Sequence, residues 1–80
     1  MKLRVYLNFD QGAVTEPVIW KLAKEFDVVT NIRTAAVKDG MGLVGLEVEG
    51  DTEVVEASVK WLEAQKGVHV EPIEQNVIEG

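Results

Sequence analysis

The chain has no cysteine and a single histidine, His69. Without thiols there is no disulfide framework, no thiolate zinc site and no iron–sulfur cluster, and one imidazole does not build a histidine-based metal centre. No resident cofactor or metal is therefore expected. Positive charge is also scarce: eight Lys and Arg stand against fourteen Asp and Glu, a net charge of −6. That balance opposes nucleic-acid binding, which depends on cations displacing phosphate counterions, and it opposes attraction to an anionic lipid surface. Long apolar runs are missing too, so neither a membrane span nor a secretory leader is expected, and the chain reads as cytoplasmic, with no membrane insertion. Finally, no Gly-x-x-x-x-Gly-Lys-Ser/Thr loop occurs, which excludes a P-loop ATPase.

What is present is an evenly patterned chain of eighty residues, 46% of them hydrophobic. This suits one domain over residues 1–80, near the size at which a lone core is marginal and association with a second copy adds useful burial. Leu3, Val5, Leu7 and Phe9 alternate with Lys2, Arg4, Tyr6 and Asn8, the pattern of a strand with one buried face. After a loop, Thr15-Glu16-Pro17 opens a helix reaching about Phe26, with Val18, Ile19, Leu22, Ala23 and Phe26 on its apolar side and Trp20 opposite. A β-branched run from Val28 to Val37 and a strand from Leu43 to Glu49 flank the turn Lys38-Asp39-Gly40-Met41-Gly42, predicting a hairpin. Gly50 ends the second of these strands. Asp51 or Thr52 then caps a helix whose stripe is Val54, Val55, Ser58 and Leu62, flanked by Val59 and Trp61, with Gly67 expected at its C′ position. A last strand is expected over Val68 to Ile73 and a loose tail over residues 74–80, the alternative being that Val77 and Ile78 extend an edge strand.

The predicted order is β-α-β-β-α-β, an α+β ferredoxin-like fold with a four-stranded antiparallel sheet and two helices on one face. If Leu3, Val5, Leu7, Ile32, Val44, Leu46, Val48, Val68 and Val70 face the helices, alternation puts Arg4, Tyr6, Asn8, Asn31, Arg33, Gly45, Glu47, His69 and Glu71 on the open face. Such a face is ordinarily just a solvated surface. It also has the makings of a site for a small amino acid: Arg33 to fork onto a carboxylate, Asn31 to donate and accept, Tyr6 and Gly45 to shape a hollow.

Catalysis is not expected. Glu47, Glu49 and Glu71 come without a nucleophile or an orienting His–Asp pair, and the segment Asn8 to Val14 has no Arg with which to cradle an anion as acylphosphatase-like hydrolases of this fold do. RNA recognition by an aromatic sheet is also excluded, since the third strand offers Gly45 and Glu47.

Several segments together resemble the NIL domain, a ferredoxin-like module of methionine-importer ATPase subunits and of some ferredoxins. They are Glu16-Pro17-Val18-Ile19, Asn31-Ile32, the span from Gly42 to Gly50, and Ala57 with Trp61-Leu62 ahead of Val68-His69-Val70-Glu71. Arg33 departs from the Leu of the Asn-Ile-Leu signature, and Gly45 replaces an ordinary strand residue. The resemblance implies a homodimer that binds an amino acid, methionine first, through Asn31. Here it would act in trans on a transporter or metabolic enzyme. Two alternatives remain open. Asp10-Gln11-Gly12-Ala13-Val14 is similar to the first loop of ACT domains, also amino-acid sensors. Trp20 on an outward helix face fits a ligand-free interaction or assembly module, including an accessory to a sulfur-transfer or ferredoxin protein.

Overall fold

The computed structural model describes residues 1–10 and 17–78. Its elements are β1 (Lys2–Phe9), α1 (Val18–Glu25), β2 (Val29–Lys38), β3 (Met41–Glu49), α2 (Thr52–Glu63) and β4 (Val68–Ile78). The strands form one antiparallel sheet in the order β2-β3-β1-β4, which with the two helices is the expected ferredoxin-like α+β arrangement. Thr15 and Glu16, expected to open the first helix, and the loop glycine Gly12 lie outside the described residues.

Strand β1 is central and organises the core. Leu3, Val5, Leu7 and Phe9 are all buried, and they join Leu46, Val48, Val68 and the helix residues Val18, Leu22, Val55 and Leu62 in one cluster. The helices are tied to each other by Phe26 and Trp61, whose rings meet edge to face at a centroid distance of 6.1 Å. Such a pair contributes about 0.5–1.5 kcal/mol beyond the area it buries. Ser58 is the polar member of the α2 stripe, and its hydroxyl donates to the Val55 carbonyl at 2.7 Å, so its burial leaves no oxygen unsatisfied.

The β2–β3 hairpin closes tighter than expected. Asp39 and Gly40 alone form the turn, with φ of 54° and 78°, and Lys38 pairs with Met41. Positive φ at both central residues is the geometry that matches strand twist in a two-residue hairpin, and Asp-Gly is a favoured pair for it.

Other expectations need correction. Ala23 is exposed, because it sits about 100° around the helix from the buried Leu22 and its methyl is too short to reach back. Ile32 does share a face with Leu46, its partner on β3, yet it remains 53% exposed because β2 is an edge strand that α1 only partly covers. Glu47, expected on a solvated face, is buried, since β3 is flanked by β2 and β1 and Arg4 reaches across to it. Gly67 is not the C′ residue of α2: the helix ends at Ala64, and Gly67 takes φ 79° in the following turn, where the Val68 amide donates to the Gln65 carbonyl. Asp51 is the N-cap of α2 by backbone position but makes no side-chain cap hydrogen bond. Strand β4 runs past Ile73 to Ile78, and Val77 and Ile78 pair with Leu3 and Lys2 after a register shift between Leu3 and Val5.

Two adjacent substitutions test the packing. Leu22→Ala should cost about 2–5 kcal/mol of unfolding free energy, whereas Ala23→Gln should stay within about 0.5 kcal/mol of the parent. Urea denaturation measures both, and a comparable loss at the two positions would mean that α1 is rotated about its axis.

Candidate functional site

The uncovered sheet face is a grid whose rows are set by strand register. Asn31, Glu47 and Arg4 form one row across β2, β3 and β1, and the next row brings Thr34, Gly45, Tyr6 and Glu71 together across all four strands. Between the rows β2 is irregular: its register shifts between Ile32 and Thr34, so Arg33 is an extra residue with no partner on β3. A bulge of this kind places two residues opposite one and re-aims side chains. Arg33 and Thr34 consequently both border the hollow over Gly45.

That hollow has a volume of about 170 Å³ and is lined by Arg4, Tyr6, Arg33, Thr34, Gly45 and Leu46. Its floor needs the glycine. A Cβ at Gly45 would lie 2.6 Å from Thr34 Oγ1 and 3.3 Å from Tyr6 Cε1, so the Tyr6 ring and the Thr34 hydroxyl close over the bare backbone. An aromatic ring laid across a strand glycine in this way offsets the packing that the missing side chain would have supplied.

The electrostatics are asymmetric. Arg4 Nε–H donates to Glu47 Oε2 at 2.8 Å, with the Arg4 side chain 43% exposed and that of Glu47 only 9%. This hydrogen bond holds the Glu47 carboxyl below its ordinary value near 4.5, against the opposing effect of burial, and the charges of Arg33, Arg4 and Lys2 push the same way. Arg33 is exposed and contributes to Glu47 only through space.

Three of the sequence-derived candidates, Tyr6, Arg33 and Gly45, thus meet in one hollow, together with Arg4 and Thr34. Asn31 is exposed on the same face, opposite Glu47 and one row away, and does not line the hollow. Sequence reasoning missed Thr34 because strict alternation places it with Ile32 on the helix side, and only the bulge reverses it. His69 lies farther along the face, opposite Asn8, with its Nε2 3.0 Å from Asp10 Oδ2; both side chains are well exposed. Such a pair is worth little in water.

A second hollow lies on the helix side of the sheet. It has a volume of about 230 Å³ between the start of α1 and the end of the hairpin, and its walls include Phe9, Ile19, Trp20, Val37 and Val44. Trp20 is 60% exposed at its rim, as its position on the helix wheel predicts, and Lys24 Nζ sits 5.2 Å from its ring centroid. No helix among the described residues is long and apolar enough to cross a membrane.

The family model of the NIL domain matches residues 3–72 of the eighty. A search of curated proteins finds no match to the chain.

The Glu47 carboxylate gives a pH-dependent prediction. Its pKa is lower folded than unfolded, so its stabilisation is fully present above the unfolded value near 4.5 and is lost as pH falls through the lowered folded value. Glu47→Gln should therefore melt below the parent at neutral pH, and the gap should narrow on acidification below about pH 4.5. Melting curves across a pH series check this; a gap that stays constant into strong acid would show that the charge is not its source.

Proposed function

The chain belongs to the NIL domain family, and from that premise we propose that it is a non-catalytic regulatory domain that binds a small amino acid, methionine first, on its open sheet face. Membership marks it as a candidate regulatory or ligand-binding domain. The observation that carries the finer reading is the hollow over Gly45, where an aromatic ring, a hydroxyl and two guanidinium groups converge on about 170 Å³. Drug-sized ligands occupy roughly 300–1,000 Å³, so this hollow suits a ligand of amino-acid size. Polar groups from Arg33 and from Asn31 in the adjacent row hold the charged end, and the Tyr6 ring offers a face to a thioether.

Regulation follows by linkage. A ligand that binds one arrangement of a homodimer better than another shifts the population toward it, and a transporter or enzyme that contacts the dimer responds. On this reading the domain works in the cytoplasm.

Thermal unfolding against a panel of free amino acids tests the reading. Ligand at about 100 times its dissociation constant adds roughly 2.7 kcal/mol, a rise on the order of 10 °C for a domain this small. Methionine should produce that rise, and Asn31→Ala should reduce it. A flat response across the panel sinks the proposal.

One observation favours a second reading, in which the domain is a ligand-free interaction module: Trp20 stands exposed beside an apolar hollow. Aromatic anchors next to a groove are common centres of protein interfaces. On this reading Trp20→Ala leaves the melting temperature nearly unchanged and abolishes self-association in sedimentation velocity or capture of the partner. If the domain instead unfolds, Trp20 is a packing residue.

A further inference from the structure

The arginines that line the hollow over Gly45 are not equivalent. Arg4 is committed: its Nε–H is given to Glu47 Oε2 at 2.8 Å, and that carboxylate is nearly buried, so the pair is close to neutral as seen from the hollow. Arg33 has no such commitment. Among the described residues no hydrogen bond or ion pair reaches its guanidinium, which stands on a bulge where strand pairing does not dictate its direction. Thr34, the next residue, brings a hydroxyl to the same hollow, and the Tyr6 ring forms its wall. A planar cation with several N–H donors beside a hydroxyl donor is the arrangement that receives a carboxylate.

Among the described residues, the complementary group for an ammonium is missing from the lining: none of those bordering the hollow is acidic. Glu47 is held by Arg4, and Glu71 lies beyond Tyr6 on β4, two strands from Gly45, a separation of about 10 Å at the usual strand spacing. An α-ammonium placed here would meet guanidinium charge and, among the described residues, no counter-ion.

Resting on the ligand-binding reading above, we infer that Arg33 is the carboxylate receptor of this site and that the site selects by charge. It takes the carboxylate of a small molecule whose short apolar chain lies on the Tyr6 ring, and it gains nothing from an α-ammonium. Its ligand class is small monocarboxylates, to which an amino acid belongs only through its acid end.

Titration calorimetry on the full chain separates the possibilities with methionine, methionine amide and the des-amino acid γ-(methylthio)butyrate. Methionine and the des-amino acid should bind within about threefold of each other, and the amide should be weaker by roughly tenfold, the scale of one lost charge-assisted hydrogen bond. Arg33→Gln should weaken both acids by a similar factor with only a small change in melting temperature, since the side chain is exposed and acts on Glu47 only through space, and Arg33→Lys should restore part of the loss. Amide binding equal to the acid, loss of binding in the des-amino acid, or an unchanged affinity in Arg33→Gln would each overturn the inference while leaving a ligand-binding domain in place. No heat from any of the probes would overturn the ligand-binding reading itself, and the inference with it.

Discussion

Everything in this domain hangs on the alternation of β1. The strand is paired on both sides, by β3 and by β4, and its odd residues from Leu3 to Phe9 are buried beneath the helices. Because successive side chains point to opposite faces, that burial leaves Arg4, Tyr6 and Asn8 no choice but the other face. The position of the helices thus decides where the polar chemistry lies. A slip of one residue in the β1–β3 register would both expose the core and take Tyr6 off Gly45.

The open face gains its shape from two departures from regular sheet. Gly45 removes a side chain from the middle of β3, where Tyr6 and Thr34 then close in over the backbone. The bulge at Arg33 adds a residue to β2, so that two side chains of that strand reach the same hollow. Either alone would leave an ordinary polar surface; together they make a concavity with a cation at its rim. The same bulge interrupts the regular edge of β2, and the register shift does likewise for β4. Interruptions of this kind blunt an exposed edge against indiscriminate strand pairing.

Charge supports the same division of labour. A chain of net charge −6 places Lys2, Arg4 and Arg33 around one buried carboxylate on a single face. Glu47 neutralises Arg4 and fixes its direction, so the face is ordered by an ion pair but not left neutral. Arg33, outside that pair, leaves a cation at the rim beside the Tyr6 ring. The exposed Trp20 belongs to another surface, on the helix side, and a partner there would not compete for the same residues.

Element order, the hairpin, the core faces of β1 and β3 and the outward direction of Trp20 follow from the sequence alone. Local periodicity and turn chemistry express them without reference to distant residues: Asp39-Gly40 demands positive φ, and Leu3-Val5-Leu7-Phe9 demands one buried face. The family, too, is legible from short segments such as Glu16-Pro17-Val18-Ile19 and Asn31-Ile32. Tertiary structure alone decides which strands are central and which are edges, and so why Ile32 is exposed and Glu47 is buried. It also decides that Arg4 pairs with Glu47 and that Thr34 joins Arg33 over Gly45. These depend on cross-strand register and on a single inserted residue, and a one-residue shift in pairing reverses every face beyond it without changing a letter of the local pattern.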